Sequence, residues 1–153
     1  MTRSSRGSRG YTLAELVMVV ALIAVLAAMA LPVAKFTVKR QKEAELRLAL
    51  RQIRTAIDEY KRMSDQGMIP VKIGGEGYPE DLEELVEGVE IVGQETKMRF
   101  LRRIPIDPMT RDDWALRSYQ DDHDATSWGG ENIYDVRTTS EGVAIDGTKY
   151  ADW

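Results

Sequence analysis

Hydrophobic positions near the N-terminus form one uninterrupted run. Residues 16–34 read LVMVVALIAVLAAMALPVA, which is nineteen residues without a charge. As an α-helix rising about 1.5 Å per residue, this run is about 28 Å long and matches the hydrocarbon core of a bilayer. The run therefore predicts either a retained transmembrane anchor or a secretory signal peptide that is cleaved after Ala28-Met29-Ala30.

The pattern beyond the run favours the anchor, because helical periodicity continues past Pro32. Apolar side chains recur there at steps of three and four residues, as on one face of an amphipathic helix. They are Leu46, Leu50, Ile53, Ile57 and Tyr60. Gly67 predicts the end of the helix. We therefore predict one helix of about 53 residues, transmembrane in its first half and amphipathic in its second. Pro32 lacks a backbone donor and should bend or locally unwind it; two helices that meet at Pro32 are the alternative.

The segment after Gly67 predicts a small α+β arrangement. Residues 78–86 have the pattern of a short helix with Pro79 at an early position. Residues 114–119, 133–138 and 142–145 have the composition of short strands. We expect these strands to form a small antiparallel sheet that covers the amphipathic stripe of the long helix.

Charge is distributed unevenly along the chain. The net charge is −4, but residues 67–153 contain nine basic and nineteen acidic side chains. An acidic half without a basic stripe is a poor surface for nucleic acid, so we expect no nucleic-acid partner. The chain has no cysteine and one histidine, His123, which argues against disulfides, thiolate chemistry and a His-rich metal enzyme. The acidic stretch 121–124, flanked by Ser118 and Ser127, is better explained as a solvated loop than as a metal or Ser/His/Asp site.

The nine residues RGYTLAELV at positions 9–17 resemble the processing site of type IV prepilins and type II secretion pseudopilins. In that family a prepilin peptidase cleaves after a glycine, and the new N-terminal aromatic residue is N-methylated. The resemblance implies a leader of residues 1–10, cleavage between Gly10 and Tyr11, and methylation of Tyr11, although phenylalanine is usual there. It further implies a transmembrane part over residues 11–35 and a soluble pilin-like domain over 36–153 that includes the second half of the helix.

Glu15 and Pro32 also match this family in spacing. Glu15 is the fifth residue after the implied cleavage and Pro32 the twenty-second, where the family has a glutamate and a helix-breaking proline. A carboxylate in hydrocarbon costs several kcal/mol unless it is paired or protonated. The free amine of Tyr11 on a neighbouring subunit would be a partner, and this pairing would set the subunit register during assembly. The alternative is that Glu15 reaches the interface near the positive end of the helix dipole.

The C-terminal half resembles the major pseudopilin of type II secretion, the G type. The resemblance rests on residues 103–108 (RIPIDP), on residues 133–136 (IYDV) and on the final Trp153; residues 109–110 and 121–130 depart from that pattern. The G-type family binds calcium through acids of its last loop. This implies a calcium site with Glu141 near the first ligand and Asp146 or Asp152 as the second. The alternative is a set of solvated turn acids, and we expect no other cofactor.

The resemblance implies a structural subunit of a type II secretion pseudopilus rather than an enzyme. It places the leader in the cytoplasm, one span in the bacterial inner membrane and the C-terminal domain in the periplasm. Its partners would be further copies of itself, prepilin peptidase, minor pseudopilins, inner-membrane secretion proteins and, before assembly, membrane lipid. One alternative is a type IV pilus major pilin for adhesion or motility. Another is an exported soluble protein that is cleaved after Ala30.

Overall fold

The computed structural model describes residues 10–93, 96–122, 125 and 127–153, with only the backbone of residues 29–31. Contacts divide the chain into two units, with the boundary between Lys39 and Arg40. The helices are α1 (Leu13–Asp65) and α2 (Leu82–Glu87). The strands are β1 (Val89–Glu90), β2 (Lys97–Met98), β3 (Ala115–Arg117) and β4 (Asp135–Arg137), and a 3₁₀ turn spans Tyr150–Asp152. This confirms the α+β class, consistent with a pilin-like fold.

Helix α1 is a single helix of 53 residues with Pro32 inside it, so the prediction of one long helix is confirmed. Its C-terminal end is a Schellman motif around Gly67, whose φ is +72°. The amide of Gly67 donates to the carbonyl of Ser64 at 2.9 Å, and the amide of Met68 donates to that of Met63 at 3.0 Å. A bend at Pro32 stays a prediction.

The amphipathic half of α1 supplies the centre of the core. Its predicted apolar stripe is buried, and no side chain in it is more than 6% exposed: Leu46, Leu50, Ile53, Ile57 and Tyr60. These side chains belong to one cluster with Leu85 of α2, Ile133 and Val136. Each fully buried aliphatic side chain contributes about 1.5–3 kcal/mol. The periodicity of the helix therefore determines which face the C-terminal elements cover.

Helix α2 begins later than the sequence indicates. Asp81 is its N-cap, with an extended backbone and a carboxylate that accepts a hydrogen bond from the amide of Glu84 at 2.7 Å. An aspartate at this position satisfies one of the free amides of the first turn. Pro79 lies before the helix, where its carbonyl accepts a hydrogen bond from the amide of Ile133. The prediction of a helix over residues 78–86 with Pro79 inside it was wrong in this respect.

The strands form two antiparallel pairs instead of one sheet. In the second pair Leu116 lies opposite Val136, which confirms the strands expected near residues 114–119 and 133–138, although each has three residues. In the first pair Val89 lies opposite Met98, and strands of two residues are too short to show a period in the sequence.

The prediction of a third strand over residues 142–145 is wrong. Only one bridge, between Val143 and Lys149, forms there. The amide of Gly147 donates to the carbonyl of Ala144, so the chain turns back before a ladder can develop.

Candidate functional site

The start of helix α1 has the geometry of an N-terminal cap. The amide of Glu15 donates to Thr12 Oγ1 at 3.2 Å, and the amide of Leu16 donates to the Thr12 carbonyl at 3.1 Å. Thr12 is therefore the N-cap, and Glu15 is the third helical residue, as in the sequence pattern of a capping box. The sequence reasoning did not single out Thr12, although a threonine three residues before a glutamate was the available signal.

The implied cleavage site lies just outside this helix. Gly10 and Tyr11 precede the first helical residue, and Tyr11 is 82% exposed. A β-carbon added to Gly10 would meet nothing within 4 Å. Exposed non-helical backbone is the form in which proteases reach a peptide bond. The fold therefore leaves the Gly10–Tyr11 bond open to a peptidase without any unwinding of α1.

Glu15 lies in the first turn of α1 and is exposed. An anion at this end of a helix is favoured by the helix dipole. Its carboxylate has no ion pair or hydrogen bond within the part of the chain that the structure describes. Pairing with the Tyr11 amine of a neighbouring subunit stays a prediction.

The N-terminal half of α1 exposes a large apolar surface. Among the described residues from Leu13 to Val38, the large apolar side chains are 47% to 83% exposed. An eighteen-residue window of α1 has a mean hydropathy of 2.9 and is not buried. Among the described residues, α1 is the one helix that is long and apolar enough to cross a membrane. Monomeric soluble proteins rarely expose an apolar patch of this size. This half of the helix is therefore suited to a bilayer or to contact with other chains.

The three residues considered for calcium are not assembled as a ligand set. Asp146 Oδ1 accepts hydrogen bonds from the Thr148 amide at 3.0 Å and hydroxyl at 2.7 Å, and Arg47 lies 3.4 Å from Oδ2. The Thr148 hydrogen bonds, with a smaller contribution from Arg47, lower the pKa of Asp146. Among the described residues no group of three or more His, Asp or Glu side chains is arranged to hold a metal ion. Calcium at Glu141 with Asp146 or Asp152 stays a prediction. The calcium hypothesis rests on the resemblance, and a calcium-dependent rise in Tm is its test.

The acidic loop after β3 has a structural role in its described part. Asp121 Oδ2 accepts hydrogen bonds from the amides of Ser118 at 2.7 Å and Gly129 at 3.2 Å. The hydroxyl of Ser118 donates to the carbonyl of Asn132 at 2.9 Å. His123 lies outside the described residues, as does position 124. These contacts favour the interpretation of this segment as a loop closed by its own carboxylate.

Two buried carboxylates outside the predicted sites hold the C-terminal half together. Glu43 of α1 accepts hydrogen bonds from the Ile145 amide and the Tyr150 hydroxyl. Asp107 is fully buried and accepts hydrogen bonds from Met109, Thr110 and Thr138. Both acids have hydrogen-bonded partners, and neither is part of the N-terminal site.

The comparisons with known proteins address the N-terminus. A family model for the prokaryotic N-terminal methylation motif matches residues 5–31, a range that includes Gly10, Tyr11 and Glu15. No curated protein and no solved structure gives a significant match, and no comparison supports the finer resemblance to the G-type major pseudopilin. The apolar helix that carries the motif is consistent with membrane anchoring. The motif indicates a type IV pilin-like protein that is processed as a prepilin.

Proposed function

We propose that this chain is a structural subunit of a type II secretion pseudopilus, which polymerises through its N-terminal helix to support protein export. The observation that carries the proposal is the prepilin motif at the start of a helix whose first half is apolar and exposed at its described residues. That surface needs lipid before assembly and neighbouring copies afterwards. A head-to-tail contact that does not close generates a filament from identical subunits.

The proposal places the chain in the bacterial inner membrane as a single-pass protein. The leader, residues 1–10, lies in the cytoplasm, and the soluble domain lies in the periplasm. Prepilin peptidase removes the leader, and Tyr11 is then methylated. The mature chain assembles with further copies of itself, with minor pseudopilins and with inner-membrane proteins of the secretion system. Its role is structural rather than catalytic.

Glu15 is the residue we assign to assembly. A carboxylate carried into the apolar core of a filament is costly unless a cation pairs with it. Tyr11 stands four positions before Glu15, just before the start of α1, so a small axial stagger between two copies brings the free amine of one to the carboxylate of the other. Pairing then selects one stagger, because every other register leaves both charges unpaired.

The type IV pilus major pilin is the alternative. One property of the sequence favours the pseudopilus: the chain has no cysteine, whereas type IV pilins commonly have a C-terminal cysteine pair. Deletion of the gene distinguishes the two functions. We expect loss of secreted proteins from the medium with surface fibres and twitching retained; loss of fibres and twitching with secretion intact would establish the alternative.

The first experiment combines intact mass with three variants on α1. Mature wild type should begin at methylated Tyr11, and Glu15→Gln should be inserted and cleaved normally but form no filaments. Glu15→Asp keeps the charge and should assemble at least in part. Glu45→Gln, which changes an exposed acid of the same helix, is the matched control and should assemble normally. Normal filaments from Glu15→Gln, or a mature chain that begins at Leu31, would contradict the proposal.

A further inference from the structure

A groove with three arginines lies along the amphipathic half of α1. Its volume is about 470 Å³, and its lining includes Arg47, Arg51, Arg54, the ring of Trp153 and one acid, Asp58. The arginines are four and three residues apart, so they lie on neighbouring turns of one helix face. The groove therefore concentrates positive charge on a molecule whose net charge is −4.

The three guanidinium groups differ in how they are engaged. Arg54 donates to Asp135 at 2.7 Å and to the carbonyls of Val136 and Trp153, so it has a structural role. Arg47 lies 4.2 Å from the centre of the Trp153 ring and 3.4 Å from Asp146, and its side chain is 58% exposed. An exposed ion pair of this kind contributes little and can be exchanged.

Arg51 is the least engaged of the three. It is exposed, and its guanidinium makes no hydrogen bond or ion pair with the residues that the structure describes. The groove thus offers two guanidinium groups, those of Arg47 and Arg51, that an anionic partner can reach.

The complementary charge lies in the same chain, in and around helix α2. Residues 73–96 contain eight acidic residues and no lysine or arginine. Lys72 pairs with Glu80 and Glu84, and Asp81 caps α2. Glu83 and Glu87 are exposed and form no ion pair with the described residues. These two carboxylates are four residues apart on α2, as Arg47 and Arg51 are on α1.

We propose that Arg47 and Arg51 of one copy bind Glu83 and Glu87 of a second copy. The matched spacing, about 6 Å between β-carbons on each helix, lets two arginine–carboxylate pairs form together. The contact joins two different surfaces, so a free groove remains at one end of a row of copies and a free acidic face at the other. Further copies can then add as long as the rotation between neighbours does not close a ring. This interface rests on the proposed function, because it adds a periplasmic contact to a filament assembled through the N-terminal helix.

The test is a charge swap in the full-length chain, with sedimentable filaments as the readout. We expect Arg47→Glu/Arg51→Glu and Glu83→Arg/Glu87→Arg each to reduce filaments by at least about tenfold. The chain with all four changes restores the pairing between its own copies and should recover assembly. The matched control is a chain with Arg47→Glu/Arg51→Glu and Asp112→Arg/Asp113→Arg. It has the same net charge as the swapped chain but lacks the complementary face, so its assembly should not recover. An unchanged far-UV circular dichroism spectrum checks that each variant is folded.

Four outcomes decide the question. Rescue by the swap and not by the control supports the interface. Normal filaments from Arg47→Glu/Arg51→Glu overturn the interface and leave the proposed function intact. A defect that the swap does not rescue also overturns it. Binding of phosphatidylglycerol vesicles by wild type but not by Arg47→Glu/Arg51→Glu would then assign the groove to anionic lipid. If wild type forms no filaments at all, the interface and the proposed function fall together.

Discussion

The carboxylate of Glu43 on helix α1 accepts a hydrogen bond from the hydroxyl of Tyr150 at 2.9 Å, across 107 residues of sequence. The same oxygen accepts a second hydrogen bond, from the amide of Ile145 at 2.8 Å. Glu43 is 8% exposed and Tyr150 is 5% exposed, so water does not replace these contacts. This carboxylate therefore ties the C-terminal loop to the helix that carries the core.

Removal of the Glu43 carboxylate is expected to destabilise the domain. Glu43→Ala leaves a buried hydroxyl and a partly buried amide without an acceptor, which should cost about 3 kcal/mol of unfolding free energy. Glu43→Gln keeps an acceptor oxygen and should cost about 1–2 kcal/mol, and Tyr150→Phe a similar amount. Urea unfolding of the full chain in detergent, followed by tryptophan fluorescence, measures the differences. The control is Glu45→Ala, which removes an exposed acid two residues away and should change stability by less than about 0.5 kcal/mol. Equal losses at positions 43 and 45 would refute the stabilising role of the Glu43 carboxylate.

Two buried tyrosines predict a loss of stability at alkaline pH. Burial raises the pKa of Tyr60 from 10.0 to about 12, with a smaller contribution from the charge of Glu84. Burial, and then the hydrogen bond to Glu43, raises the pKa of Tyr150 to about 12. The folded state holds these protons more tightly than the unfolded state, so their contribution is complete below pH 10 and is lost as the pH rises towards 12.

The comparison that isolates this effect is wild type against Tyr150→Phe. Lysines also lose charge in this range, and carboxylate partners raise the pKa values of Lys61 and Lys72. The unfolding free energy at pH 9, 10, 11 and 12 should therefore fall in both proteins, but less steeply in Tyr150→Phe. Parallel curves would show that Tyr150 ionises alike in the folded and unfolded states.

Helix α1 was predictable from the sequence because its determinants are local. The spacing of Leu46, Leu50 and Ile53 marks its buried face, and Gly67 marks its end. The N-terminal site residues were also local, since Gly10 and Glu15 stand in one short motif. Periodicity and motif spacing are properties that a single sequence displays directly.

The other features of the fold depend on contacts between residues far apart in the sequence. Glu43 lies in a charged stretch of α1, where a glutamate ordinarily faces solvent; only the positions of Ile145 and Tyr150 make it a buried acceptor. Asp81, not Pro79, determines where α2 begins, because an N-cap hydrogen bond is more specific than proline's preference for early helical positions. The first strand pair, β1 and β2, has two residues in each strand and therefore no readable period.

Asp107 is expected to be among the least replaceable residues of the C-terminal half. Its side chain is fully buried: Oδ1 accepts a hydrogen bond from the amide of Met109 at 2.7 Å, and Oδ2 accepts hydrogen bonds from the hydroxyls of Thr110 and Thr138. Asp107→Ala removes three hydrogen bonds to a charged acceptor and should cost about 3 kcal/mol or more. Asp107→Asn keeps one carbonyl oxygen and should fall between Asp107→Ala and wild type. The control is Asp113→Asn, which changes an exposed acid nearby. The Tm of each variant measures the loss of stability. Equal Tm values for Asp107→Ala and Asp113→Asn would overturn the prediction that Asp107 is hard to replace.

Gly88 and Gly67 both have positive φ, at +86° and +72°, but only Gly88 is closely approached by other backbone. A β-carbon at Gly88 would lie 2.6 Å from the carbonyl oxygen of Met98, whereas one at Gly67 would meet nothing within 4 Å. Gly67→Ala therefore introduces conformational strain alone and should cost about 1–2 kcal/mol. Gly88→Ala adds a clash with β2, which cannot move without loss of its pairing to β1, so it should cost about 3 kcal/mol or more. Urea unfolding of the two variants under identical conditions measures the loss of unfolding free energy in each. If Gly67→Ala loses as much as Gly88→Ala or more, the approach of Met98 does not constrain the turn at Gly88.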